Sequence, residues 1–171
     1  MKPIVVYNSK TGFTKKYGEW IAQELGCKAV SVKQAGYSDC DVIIYGGRLM
    51  AGKIAGLNKI KNNPALGAKK LVIFASGMTG MMDSKAIDKI KEDNLSASEQ
   101  KNIPFYYFEG GVNYEAMGFL SRSMLKMMVK SLAKKENRTV DETNMMNALA
   151  SSSDHSDKAY IRPLIDYVKG L

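Results

Sequence analysis

The chain has 171 residues, the length of one hydrophobic core of ordinary size. With 45% hydrophobic and 25% charged residues it has the composition of a folding chain, neither disordered nor fibrous, and no apolar run approaches the roughly 20 residues that span a bilayer. Lysine and arginine outnumber aspartate and glutamate by 25 to 17, for a net charge of +8, which favours acidic partners: nucleic acid, an anionic membrane surface or negatively charged small molecules.

Met1-Lys2-Pro3 leads straight into an apolar stretch with no cleavage-type segment after it, so a single cytoplasmic domain over residues 1–171 is expected. Cys27 and Cys40 are too far apart for a CxxC motif and too few to staple a secreted scaffold, and are read as idle or buried thiols.

Pro3-Ile4-Val5-Val6-Tyr7 is a short apolar, β-branched run ending at turn formers, as suits a strand buried on both faces. Apolar residues at Phe13, Tyr17, Trp20, Ile21 and Leu25 then keep helical spacing up to Gly26. Lys28 to Val32 is a second strand, and Asp41 to Tyr45 a third, ending at Gly46-Gly47. A helix is expected over Ile54 to Lys61. Lys70 to Phe74 is a fourth strand, followed by a helix from Ser84 to Asp93, and Pro104 to Phe108 is a fifth. Strands alternating with helices predict a doubly wound α/β sandwich with a five-stranded parallel sheet. Beyond the fifth strand lies a helical elaboration: a helix over Phe119 to Lys135, then one opened by Thr139-Val140-Asp141-Glu142, which has the T-x-x-E form of a capping box. The last helix is expected over Asp157 to Lys169.

Ligands of such sheets bind beyond the carboxyl ends of the strands, so the loops there carry the chemistry. The first is Ser9-Lys10-Thr11-Gly12-Phe13-Thr14, hydroxyls and a glycine at the mouth of a helix. Unpaired helix amides, hydroxyl donors and a close backbone approach at Gly12 can wrap a phosphate. The alternative is an N-capping turn with spare hydroxyls. Gly47 to Lys53 matches a Walker A loop, but Ile54 stands where a magnesium-binding Ser or Thr belongs, and the match is read as coincidence. Gly46-Gly47 would instead let the chain pass close to a planar ligand.

Placed directly after strand one, the S/T-x-T-G-x-T pattern of Ser9 to Thr14 resembles the phosphate loop of flavodoxins. The resemblance implies strand order 2-1-3-4-5 and FMN as cofactor. Ser9, Thr11, Gly12 and Thr14, with Lys10 and Phe13 in the same loop, would hold the phosphate. Gly47, Arg48, Leu49 and Met50 on one side, and Ser76, Gly77, Met78, Thr79 and Gly80 on the other, would flank the isoalloxazine ring, with Asn113 and Tyr114 near it. Flavodoxins usually cover the ring with an aromatic from the loops after strands three and four, and neither loop has one here. A less covered ring suits a protein that admits a second molecule, although Tyr114 could stack from another loop.

Phe108-Glu109-Gly110-Gly111-Val112-Asn113-Tyr114 and the basic helix after it resemble the F-x-G-x-[hydrophobic]-[DN]-Y segment and inserted helix of the menaquinone-dependent protoporphyrinogen oxidase group. Gly111 stands where that group often has a basic residue and Asn113 where Asp is common. The implied activity is an FMN-dependent oxidation that passes electrons from a small-molecule redox substrate to a quinone or similar acceptor. A non-catalytic electron carrier between redox proteins is the alternative.

Arg122, Lys126, Lys130 and Lys134 recur every fourth residue on one stripe of the long helix, while Leu120, Met124, Met127, Met128 and Leu132 fill another arc. Such a helix could rest on an anionic membrane, give carboxylate-bearing substrates a positive rim, or pack into the core with a solvated basic face. Nucleic acid is not expected as a partner, since charge alone would support it. His155 is read as a surface residue, and the pairs Asp39/Asp41 and Asp154/Asp157 as coincidental. Nothing forms a metal cluster, a nucleophile elbow or a hydrolytic triad, which leaves reactivity to the cofactor.

Overall fold

The computed structural model describes residues 1–171, apart from the side chain of Asp141. In chain order it contains β1 (Pro3–Asn8), α1 (Phe13–Leu25), β2 (Lys28–Ser31), β3 (Val42–Met50), β4 (Lys53–Ile54), α2 (Leu57–Lys61), β5 (Lys70–Gly77), α3 (Ser84–Asn94) and α4 (Ala97–Asn102). There follow β6 (Phe105–Glu109), β7 (Gly111–Val112), α5 (Phe119–Lys134), α6 (Val140–Ala150), β8 (Ser153–Asp154) and α7 (Arg162–Lys169).

The sheet runs β2-β1-β3-β5-β6, every one of these pairs parallel. With the short hairpin strand β4 set aside, this is the expected order. Because side chains alternate along a strand, each apolar run feeds two cores. Val5, Val42, Ile44, Val72 and Phe74 face α1 and α7, where they meet Tyr17, Ile21, Leu164 and Ile165. Val6, Ile43, Tyr45, Ile73 and Ala75 face the other way, against Leu57, Ile60, Ile90 and Leu95.

Several boundaries differ from the expectation. β3 does not stop at Tyr45 but runs on to Met50 and turns back into β4, pairing Leu49 with Ile54 and Met50 with Lys53. The predicted helix over Ile54 to Lys61 therefore shrinks to α2. The turn is Ala51-Gly52, with φ of 49° and 76°, the left-handed backbone of a two-residue hairpin. So the Walker-like stretch is a hairpin and wraps no phosphate. The unforeseen α4 has its own capping box: Ser96 and Glu99 satisfy each other's amides. The capping box expected at Thr139 forms, with Glu142 N–H donating to Thr139 Oγ1 at 3.1 Å and Thr139 N–H to Glu142 Oε2 at 3.0 Å. At the carboxyl end, residues Lys158–Ile161 make a 3₁₀ turn, and the α-helix starts only at Arg162, where a proline in the first turn needs no amide partner.

The elaboration leaves the sheet through β7 and returns through β8, and these two strands pair antiparallel. α5 and α6 pack against each other. α5 contributes no buried residue, which overturns the core-packed reading of this helix. Phe119, Leu120, Met124 and Met127 all lie exposed. Among the described residues no helix is long and apolar enough to cross a membrane.

Candidate functional site

The carboxyl ends of β1, β3, β5 and β6 lie side by side, with Asn8 in register with Gly47, Arg48 with Ser76 and Gly77 with Glu109. From β1 the chain runs through Ser9 to Gly12 into α1. Gly12 has φ of 103°, which an L side chain rarely adopts, and supplies no side-chain cap. Among the described residues, the backbone N–H groups from Ser9 to Lys15 donate to no carbonyl or side chain. The Ser9 hydroxyl is buried with no partner. No acidic residue sits in the first turn of α1. A row of free amides at a helix's positive end, with a buried hydroxyl left unpaired, is a cradle for an anion.

The rest of the loop is anchored. Thr14 and Ser76, both buried, share a hydrogen bond of 2.7 Å that ties α1 to β5. Asn113 Nδ2 donates to Thr11 O at 3.3 Å, and Lys10 Nζ to Ser121 Oγ at 3.0 Å, so the elaboration braces the loop from above. Phe13 packs against Gly110, where a Cβ would come within 3.2 Å of its ring.

On the flank at β3, Arg48 Nη1 reaches Asn8 Oδ1 at 3.4 Å, and Met50 is 60% exposed. The hairpin carrying Leu49 and Met50 is clamped by Asn94, whose Nδ2 donates to Gly52 O and whose Oδ1 accepts from Ile54 N–H, each at 2.8 Å. Gly46 and Gly47 have a packing reason to be glycine: a Cβ would meet the Phe74 ring at 2.0 Å and Ile54 Cγ2 at 2.4 Å respectively.

On the flank at β5, Gly77 sits over Leu49 and the Tyr107 hydroxyl, while Met78 is exposed and Gly80 faces open space. The segment is held from β6: Gly110 N–H donates to Gly77 O at 2.7 Å, and Met81 N–H to Glu109 Oε2 at 3.1 Å. Burial pushes the Tyr107 and Tyr45 phenols up to about 12, Thr79 and Asn8 respectively working the other way, so both stay neutral.

Tyr114, expected near the ring, is turned toward the elaboration, its hydroxyl donating to Leu149 O at 2.5 Å. Asn113 reaches the backbone of the Ser9–Thr14 loop, at Thr11 O. Gly111 has a structural reason that its neighbours in sequence gave no hint of. A Cβ there would lie 2.0 Å from Ser153 O in β8, so the position takes no side chain, basic or otherwise. Asp154 has a partner across the fold, Lys16 Nζ at 2.7 Å. Its partial burial is outweighed by Lys16 and Ser156, which hold the carboxyl down at about 2. His155 is exposed.

A model of the flavodoxin domain matches residues 4–139. The chain belongs to the flavodoxin family. As a flavodoxin-domain protein it binds FMN, the cofactor expected from the sequence. No curated protein matches the chain. Among solved structures, a flavodoxin from the domain Archaea is 20% identical with a TM-score of 0.41, over 63% of this chain and 85% of its own. A flavodoxin, WrbA-like protein from Agrobacterium tumefaciens is 13% identical with a TM-score of 0.42, over 87% of this chain and 97% of its own. Rubredoxin oxygen:oxidoreductase from Desulfovibrio gigas is 16% identical with a TM-score of 0.39, over 87% of this chain and 36% of its own. The flavodoxin site fits a phosphate-bearing cofactor, because the unpaired Ser9 hydroxyl and the free amides behind it leave an acceptor wanting where the phosphate of FMN would be held.

Proposed function

We propose that residues 1–171 act as one unit, an FMN-dependent oxidoreductase of the kind that the Phe108 to Tyr114 segment resembles, the protoporphyrinogen oxidase group, passing electrons between a small-molecule substrate and a quinone or similar acceptor. The observation that carries the flavin part is the buried, partnerless Ser9 hydroxyl beside the free amides of Ser9 to Lys15. Ser9, Thr11 and Gly12 would hold the phosphate, with Thr14 fixed beneath them by Ser76. Arg48, Leu49 and Met50 on the clamped hairpin, and Gly77 to Gly80 on the other flank, would border the ring.

When bound, FMN would supply the hydride and electron transfer. The protein's part is to orient and to limit access. The Asn94 clamp fixes one border of the ring site, and Glu109 spends its carboxylate on the Met81 amide to fix the other. The neutral Tyr45 and Tyr107 phenols supply no base at ordinary pH. The exposed Met50 and Met78, on segments whose own residues Arg48 to Met50 and Gly77 to Gly80 include no aromatic, support an open ring face that a second molecule can approach.

The test is FMN titration of the purified protein, followed by anaerobic reduction and reoxidation with quinones, porphyrinogen and redox proteins in parallel. Turnover with small molecules supports the enzyme. Reoxidation by proteins alone replaces it with the electron carrier. A colourless protein that binds no added FMN, or a Thr11→Ala/Thr14→Ala double variant with undiminished FMN affinity, removes the proposed site.

A further inference from the structure

We propose that the groove between α5 and α6 is a second anion site, one that takes a small organic anion with its carboxylate or phosphate on Arg122, Lys126 and Lys130 and its apolar body against Tyr114 and Val129. The groove has a volume of about 310 Å³ and is lined by Tyr114, Arg122, Lys126, Val129, Lys130 and Ala150. Its charged lining is wholly cationic.

The three cations follow one another at four-residue spacing on a single helical face, where like charges repel. None of them forms an ion pair among the described residues. Arg122 adds a specific vacancy in its bonding. Its Nη2 donates to Tyr114 O and, at 3.4 Å, to Glu115 O, which pins the guanidinium in place. Its Nε is buried and has no partner. A buried donor left unmade costs about 1–3 kcal/mol, and an oxygen of a carboxylate or phosphate on Nε would make that missing bond as a charge-assisted one.

The apolar side of the groove is fixed as well. The Tyr114 hydroxyl is held by Leu149 O, so its ring is a wall and not a mobile lid. Through Asn113, the residue before it, this wall connects to Thr11 O in the phosphate loop, yet no residue of that loop lines the groove. The site is therefore separate from the flavin cradle, and the proposal does not rest on the flavin reading.

The test is a titration of the FMN-loaded protein, and in parallel of the flavin-free protein, with phenyl phosphate, benzoate and neutral benzamide, followed through the ¹H–¹⁵N resonance of Arg122 Nε. An Arg122→Lys variant assigns that resonance. We expect a saturable shift with one or both anions, larger than at Arg48, Arg138 and Arg162, and none with benzamide; the anion that binds more tightly identifies the preferred headgroup. The Lys126→Gln/Lys130→Gln variant, altered only at exposed positions, should weaken binding about ten-fold. Absence of a saturable shift, equal shifts at every arginine, equal binding of benzamide, or an unchanged affinity in the lysine variant would each overturn the site. So would an Arg122 shift produced by FMN alone.

Discussion

Thr14 Oγ1 and Ser76 Oγ lie 2.7 Å apart although 62 residues separate them in sequence, and they join the first turn of α1 to the end of β5. The hydroxyls satisfy each other in a site from which water is excluded. Removing one, by Thr14→Val or Ser76→Ala, leaves the other buried and unpaired and should cost about 1–3 kcal/mol in urea unfolding of the flavin-free protein. The double variant should recover most of that loss. Additive losses would show that the pair is not coupled.

Ser9→Ala should behave in the opposite way. Because the Ser9 hydroxyl is buried without a partner, its loss should leave the flavin-free protein as stable or slightly more so, while FMN affinity falls about ten-fold through one missing hydrogen bond to a charged group. Fluorescence titration and thermal unfolding of the same samples check both halves. Unchanged affinity would place the phosphate away from this hydroxyl.

Much of this architecture was legible in the sequence. The β-branched runs Ile4 to Val6, Val42 to Ile44 and Val72 to Phe74 are apolar on both faces because both faces are covered, and that continuity announces a parallel sheet. The hydroxyl-rich loop at Ser9 to Thr14 was legible for a related reason: its residue types suit only a cap or an anion. The hairpin was not. Ala51-Gly52 lacks the Asn or Asp that marks a left-handed two-residue turn, and Leu49 to Ile54 carries no alternation long enough to read as strand. Nor could the sequence give the reason for Gly111, since the atom that excludes a side chain there belongs to Ser153. The helix α5 shows helical periodicity, but periodicity does not say what, if anything, covers the apolar arc.

The hairpin supplies a stability prediction. Ala51 holds φ of 49°, a conformation that Asn adopts at much lower cost. Ala51→Asn should raise stability by about 0.5–1 kcal/mol, measured as a higher urea midpoint at unchanged slope. A lower midpoint would mean that the turn relaxes to another backbone.

Acid should weaken the contact between α2 and α4. Lys61, then the Ser96 amide and hydroxyl, hold the Glu99 carboxyl at about 2, below its ordinary 4.5. A depressed carboxylate stabilises the fold fully above its unfolded value and loses that contribution as pH falls. The loss from this group should therefore run from about pH 4.5 down to 2, and Glu99→Gln should flatten the stability curve over that window. Identical slopes for the two proteins would mean that other carboxylates govern acid unfolding.

The antiparallel pairing of Gly111-Val112 with Ser153-Asp154 closes the excursion at its neck. Both ends are held at strand spacing by their own ladder, so the segment beyond the neck can lengthen or shorten with little effect on the strands beneath as long as Asn113 and Ser121 keep their bonds to the Ser9–Thr14 loop, each doubling of length costing only about 0.6 kcal/mol in closure entropy. The flavodoxin platform and its helical elaboration are in that sense separable parts, free to diversify at different rates.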